Sequence, residues 1–235
     1  MMALSHSPKI VTDGLVLCLD AGDGKSYGGS GSTWTDRSGN GNSGALTNGV
    51  TFSSDNGGCI VYDGAGDVVT VTRNSSLSPT DEITQEAWFN LDATGGRVYI
   101  GLQYGTSSQN SYALWNANST TWNGLIRNSS GMNIIQYTRT VNTSNWYHFV
   151  HTYDGSNQKL YINSELIKTQ VTTGSITYDS NNTEITIGAD YNGSGYNTGI
   201  TAVVDGKQPI ARIYNKALTA SEVLQNYNAT KGRFS

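Results

Sequence analysis

An all-β sandwich or barrel with one short helix near its C-terminal end is the expected fold of this 235-residue chain. Three observations predict it. Apolar residues recur with period two in short runs, the repeat that sends alternate side chains to one face of a strand. Glycine takes 28 of 235 positions, roughly 12% against an ordinary share of about 7%, and it gathers with Asp and Asn between those runs. Charged residues make up only 14% of the chain, little more than half of the usual share of about 25%. The Ala/Glu/Lys/Leu texture of bundles and coiled coils is therefore missing.

Taken in order, Leu15–Leu19 is a short apolar run between Asp13-Gly14 and the turn residues 20–24. Residues 25–50 read as a Gly/Ser/Asn loop region around one anchor, Trp34. Ile60–Tyr62 and Val68–Thr72 flank Asp63-Gly64. Ile83–Leu91 alternates as a long strand, with Ala87 and Phe89 on one face and Glu86 and Trp88 on the other. Arg97–Leu102, Ser111–Asn116, Gly124–Asn128 and Asn133–Arg139 follow as strands, and Trp146–Tyr153 is an aromatic strand that stops at Asp154-Gly155. Lys159–Asn163 and Glu165–Thr169 flank Asn163-Ser164, which reads as a two-residue hairpin turn. Glu184–Ala189 and Pro209–Asn215 complete the strands. Thr219-Ala-Ser-Glu222 is a capping box that opens the helix. Trp88, Trp146 and Tyr161 are expected in or at the rim of the inter-sheet core. With no internal repeat and no charged or Pro-rich linker, residues 13–235 are expected to form a single domain preceded by an arm, residues 1–12.

Composition excludes several functions. A net charge of −4 without a basic cluster argues against a nucleic-acid partner. Five Trp, 14 Tyr and 4 Phe supply more burial than a disordered chain carries. No apolar run approaches the roughly 18 residues of a membrane span, and the first residues lack a continuous apolar stretch typical of an export signal. Cys18 and Cys59 sit in apolar runs and read first as buried free thiols, with a disulfide as the alternative if their strands are neighbours. The Gly22–Gly31 stretch does not lead into a helix, so it is not a phosphate cradle.

The ordered set of landmarks resembles the laminin-G-like/pentraxin-like branch of the concanavalin A-like lectin/glucanase superfamily. Its pieces are Gly14–Asp23, Trp34–Asn42, Ile60–Asp67, Glu86-Ala-Trp88, Trp146–Gly155, Leu160–Asn163, Ile187-Gly-Ala189 and Ala211–Glu222. The resemblance covers roughly residues 13–228 and implies a two-sheet antiparallel jelly roll. Its Trp34–Asn42 segment and its ending from Tyr214 to Tyr227 look like stand-alone copies of this domain among structural proteins of tailed bacteriophages.

Glycan-cleaving members of the superfamily carry two carboxylates on one strand, about 5–5.5 Å apart in retaining enzymes. The five glutamates here, Glu82, Glu86, Glu165, Glu184 and Glu222, are scattered. Glu82 and Glu86 come nearest to a pair, but the resemblance assigns Glu86 to a structural strand and Glu82 to its turn. His6 falls in the arm, and His148 and His151 lie on opposite faces of one strand. No Ser occupies a Gly-x-Ser-x-Gly elbow. The expectation is a protein that is not an enzyme.

Lectin-like relatives hold glycans through loop aromatics and fixed polar groups, often with Ca2+. The matching chemistry here is Tyr104 and Asn110 in one loop, Trp115 and Trp122 in the next, and Asp190, Tyr191, Asn192 and Tyr196 in a third. Trp122 and Tyr191 are the rings whose truncation is expected to weaken glycan binding without a stability cost. The resemblance implies calcium ligands at Asn110 and Asp190, with Asp63 and Asp67 as an alternative pair. A single carboxylate makes a weak site, so no cofactor is required. The phage-type resemblance implies a virion-surface role as a capsid decoration, head fibre or tail component, made in the host cytoplasm. Its partners would be capsid or tail proteins, host surface glycans and further copies of itself. A secreted or cell-surface lectin module is the alternative, and a glycan-cleaving enzyme of the same fold the third reading.

Overall fold

The structure, a computed structural model, describes residues 8–102, 110–191 and 200–234. Two antiparallel sheets face each other. The first holds β1 (Leu15–Asp20), β4 (Thr51–Ser53), β5 (Cys59–Asp63), β7 (Ile83–Leu91), β12 (Trp146–Tyr153), β13 (Asn157–Ile162), β14 (Glu165–Val171) and β18 (Asp205–Tyr214). Their order is β14-β13-β12-β7-β18-β5-β4, with β1 paired to β18. The second holds β2 (Thr33–Trp34), β3 (Gly44–Thr47), β6 (Val68–Thr72), β8 (Arg97–Leu102), β9 (Tyr112–Asn118), β10 (Thr121–Asn128), β11 (Gly131–Thr138) and β15 (Glu184–Ile187). Their order is β11-β10-β9-β8-β15-β6-β3-β2. A small ribbon pairs β16 (Asp190–Tyr191) with β17 (Ile200–Thr201), and α1 (Ala220–Thr230) is the one α-helix among the described residues. Neighbours distant in sequence, such as β7 beside β18 and β8 beside β15, give the concanavalin A-like jelly roll.

Period-two alternation sorts the side chains. Ala87 and Phe89 of β7, Phe149 and Tyr153 of β12 and Trp122 and Ile126 of β10 all enter the core between the sheets. Phe89 stacks on Tyr99 with ring centroids 3.8 Å apart, and Trp122 meets Phe149 edge-on at 4.9 Å. Such ring pairs add about 0.5–1.5 kcal/mol beyond the area they bury. Gly124 of β10 is needed for the sheets to close: a Cβ there would sit 2.5 Å from the His151 ring. His151 is fully buried and burial lowers its pKa to about 4, against the opposing hydrogen bond from Gln158.

The opposite face of the first sheet is covered by α1. Thr219 and Glu222 make the expected capping box. Beneath the helix, Glu86 Oε1 accepts from Arg212 Nη1 at 2.7 Å and from His148 Nε2 at 3.0 Å, while Oε2 accepts from Asn226 Nδ2 at 2.7 Å. Burial alone would raise the Glu86 pKa, but the Arg212 charge and the His148 and Asn226 hydrogen bonds bring it down to about 2. The backbone at residues 9–11 joins the same assembly. Val11 N donates to Asn226 Oδ1 at 2.8 Å, and Gln225 Nε2 donates to Lys9 O at 2.8 Å.

Two expectations are corrected, and the Asn163-Ser164 turn and the free thiols are found as expected. Trp88, Trp146 and Tyr161 pack on this outer face, under α1 and the segment after it, rather than between the sheets. The 25–50 region contains β2 and β3, and Trp34 is fully buried in the core. Asn163 and Ser164 form the hairpin turn, with φ of 50° and 68° at the two positions. Cys18 and Cys59 are buried free thiols; burial pushes Cys59 up to about 11. No helix among the described residues is long and apolar enough to cross a membrane.

Candidate functional site

The outward face of the second sheet carries an open cleft of about 330 Å³. Val98 of β8, Trp115 of β9, Leu125 of β10 and Ile134 of β11 share one phase of the pleat and form its floor. Asn110, Met132, Asp190 and Ala202 stand around it. Met132 and Ile134 are 38% and 41% exposed, large apolar side chains left open to solvent on an edge strand. With the Asn123 amide turned so that both its ends are satisfied, its oxygen accepts from Trp115 Nε1 at 3.2 Å. The indole nitrogen is thereby tied to its own sheet, and the ring is held as part of the floor.

The wall that carries Asp190 is set by the chain leaving β15. Gly188 has φ of +83°, and a Cβ there would fall 2.1 Å from the Tyr62 ring, so only glycine lets the backbone pass over that ring. Val204 N then closes the loop on Gly188 O at 2.7 Å, and Val68, Ala189 and Val203 pack beneath it. Asp190 ends up largely buried, with Oδ1 lacking a hydrogen-bond partner among the described residues. Burial raises its pKa to about 6, against the opposing Tyr191 backbone hydrogen bond.

Three expected site residues, Asn110, Trp115 and Asp190, therefore line one cleft. Two others do not join them. Trp122 lies in β10 and is fully buried in the inter-sheet core, its Nε1 donating to Arg139 O at 2.7 Å. It shares an inward phase with Gly124 and Ile126, because the turn between β9 and β10 is only Ser119-Thr120 and both tryptophans belong to strands. Tyr191 is 4% exposed, with its hydroxyl donating to Glu184 Oε2 at 3.1 Å. Neither ring is on the surface, and truncating either would lower stability. Tyr104, Asn192 and Tyr196 lie outside the described residues. Sequence reasoning passed over Val98, Leu125, Met132 and Ile134. A signal for them existed in Ile134-Ile135, where adjacent apolar residues make both faces of one strand apolar.

Calcium and similar hard cations take six to eight oxygens and favour several carboxylates; among the described residues that line the cleft, Asp190 is the one carboxylate, beside the Asn110 amide. No group of three or more His, Cys, Asp or Glu placed to hold a metal occurs among the described residues. The alternative pair, Asp63 and Asp67, is engaged with the turn it belongs to. Asp67 Oδ2 accepts from Asp63 N at 3.0 Å and Asp63 Oδ1 from Ala65 N at 2.8 Å. Burial raises the Asp67 pKa.

The carboxylates nearest to a catalytic pair are equally occupied. Both Glu86 oxygens are hydrogen-bonded beneath α1 with no exposed surface. Glu82 Oε2 accepts from Ala217 N at 2.9 Å and holds the chain that leads into the helix.

The profile of the concanavalin A-like lectin/glucanases superfamily matches residues 63–224. The chain belongs to this superfamily. Among curated protein sequences none matches it. The fold is similar to the receptor-binding domain of botulinum neurotoxin C/D mosaic serotype, with a TM-score of 0.68 and 15% identity over 92% of this chain and 51% of that one. It is also similar to the structure described under the statement that cell entry of botulinum neurotoxin type C depends on interaction with two ganglioside molecules (TM-score 0.66, 16% identity, 94% of this chain, 52% of that one). A third is the binding domain of botulinum neurotoxin DC in complex with rat synaptotagmin II (TM-score 0.67, 14% identity, 94% and 52%). This superfamily member thus spans about half the length of those chains, and at such identities the likeness is one of fold.

Proposed function

We propose that the protein is a non-enzymatic adhesion module that holds glycan chains in the cleft of β8–β11. One observation carries the reading: the cleft joins a fixed indole face and apolar floor to an amide and a carboxylate. Sugar rings are recognised by this combination, C–H faces on the aromatic ring and hydroxyls on the polar groups. The lectin-type fold supports the reading, as does the ganglioside interaction named for one neurotoxin of similar fold. No metal is required for it, since Trp115, Ile134 and Met132 supply contact area without one. The sealed state of Glu86 supports a binding rather than a cleaving role.

The setting we propose is a virion surface, with capsid or tail proteins, host surface glycans and further copies of the chain as partners. Its support is the resemblance of Trp34–Asn42 and Tyr214–Tyr227 to phage structural proteins. A glycan array probed with wild type and Trp115→Ala tests the adhesion role. The wild type is expected to bind a subset of neutral or acetamido sugars, and the variant to lose at least tenfold in affinity with little change in melting temperature. Silence of the wild type across the array would sink the adhesion claim. Mass spectrometry of purified particles tests the setting, and absence of the chain from them would remove it in favour of an exported lectin.

A further inference from the structure

The other face of the sandwich carries a second groove, beside the end of α1. Its aromatic half is lined by Trp88, Trp146, Tyr227 and Phe234, together with Lys231 and Asn163. Trp88 stacks on Tyr227 at 5.6 Å between centroids, and Phe234 lies 4.4 Å from Trp88 and 4.7 Å from Trp146. Trp88 and Phe234 are buried and anchor the C-terminal segment, whereas Trp146 and Tyr227 stay partly open. A polar half adjoins it and shares Trp146, Asn163 and Phe234, adding Arg139, Asn142, Ser144 and Asn145. The two halves measure about 350 and 430 Å³.

Charge separates this groove from the rest of the molecule. The chain carries 18 acidic against 14 basic residues, yet among the described residues the groove is lined by two cations and no carboxylate. Lys231 Nζ sits 5.3 Å over the Tyr227 ring and makes no ion pair among the described residues. Arg139 meets only Glu165, at 3.5 Å with both side chains largely exposed, a pairing worth little in water. Asn163 uses its side-chain oxygen to accept from His148 N at 2.9 Å, which leaves its Nδ2 as a donor beside Trp146.

We propose that this groove is a second carbohydrate subsite and that it takes an acidic oligosaccharide. One sugar ring stacks on the open faces of Trp146 and Tyr227. Asn163, Asn142 and Ser144 meet hydroxyls, and the carboxylate or sulfate is drawn to both Lys231 and Arg139. The apolar half alone would suit any hydrophobic partner. Lys231 and the weakly paired Arg139, one in each half of the groove, are what favour an anionic sugar.

Titration calorimetry on the whole chain with three probes tests this: polygalacturonate oligomers, sulfated dextran oligomers and unmodified dextran oligomers. Wild type is expected to bind at least one acidic probe at least tenfold more tightly than unmodified dextran, and to lose affinity as salt is raised. Which acidic probe wins identifies carboxylate or sulfate as the anionic group. Trp146→Ala should abolish the binding. Lys231→Gln, an exposed change that leaves the fold intact, should weaken it at least threefold with an unchanged melting temperature. Trp115→Ala should leave it unaltered, which separates this site from the cleft on the opposite face. Three results would overturn the proposal: no acidic probe binds, Lys231→Gln binds as wild type does, or Trp146→Ala changes only the oligomeric state and marks the groove as a contact between copies.

Discussion

Replacing Asp190 by Asn removes a charge that the fold holds at a cost. Burial raises the pKa of this carboxyl from its ordinary 3.8 to about 6. A tenfold change in proton affinity corresponds to about 1.4 kcal/mol, so ionised Asp190 opposes folding by about 2–3 kcal/mol. An acid whose pKa is raised binds its proton more tightly in the folded chain than in the unfolded one. Stability therefore falls as pH rises from about 4 to about 6 and stays lower above that window. The amide of Asp190→Asn would keep the shape without the charge. The variant should gain about 2–3 kcal/mol at pH 7.5 and almost nothing at pH 4, where the wild-type side chain is itself neutral. At roughly 2–4 °C per kcal/mol for a chain of this size, the melting temperature at pH 7.5 should rise by about 4–12 °C. Thermal unfolding followed by tryptophan fluorescence at the two pH values, with and without calcium, reads the effect. A gain of the same size at both pH values would refute the reasoning, and so would a loss at pH 7.5. Calcium that closed the whole gap by stabilising the wild type would show that Asp190 belongs to a working cation site.

Other substitutions probe the scaffold. Glu86→Gln would leave Arg212 buried with only Asp20, 3.9 Å away, as counter-charge, and equilibrium unfolding in urea should show a loss of about 3 kcal/mol, with glycan binding retained in the fraction that folds. Because the folded chain holds Glu86 at about 2 rather than 4.5, the wild-type advantage should be full above pH 4.5 and disappear as pH falls through about 2. Thr219→Ala removes the oxygen that accepts from Glu222 N, and the same unfolding measurement should report about 1 kcal/mol.

The strands were legible wherever one face alone is apolar. Ile83–Leu91, Arg97–Leu102 and Trp146–Tyr153 are found with the bounds that alternation predicts. The capping box and the Asn163-Ser164 turn were legible because each is a local hydrogen-bonding pattern, complete within a few residues. Burial on the far face was not legible. Trp88, Trp146 and Tyr161 look like core residues by type and phase, but the layer that covers them is α1 and the turn after it, brought there from the other end of the chain. The same blindness affected Trp122. Alternation says which residues share its phase, yet only the pairing of β10 with β9 and β11 decides that this phase points inward while Trp115 points out.

The two outer faces of the sandwich have been finished in different ways, and that difference locates function. The first sheet turns Glu86, Arg212 and His148 to its outward side, groups that cannot stay buried unpaired. Glu86 pairs with Arg212 and His148 and also accepts from Asn226 of α1, so the helix is bound to the sheet by a hydrogen bond to a buried charge as well as by Val223 and Leu218. An element held by a buried ionic hub is poorly suited to lift away for a ligand, and the binding surface on that side is left to the rim beyond the helix, at Trp146. The second sheet turns Val98, Trp115, Leu125 and Ile134 outward, and no helix among the described residues covers them. Val98 and Leu125 are themselves buried, so the apolar surface left in water is that of Trp115, Ile134 and Met132, at about 25 cal/mol for each square ångström that a cover would remove. A chain that already closes one face with a dedicated helix has the means to close the other. Trp115, Ile134 and Met132 are the apolar surface on which the proposed occupant would stack, beside Asn110 and Asp190.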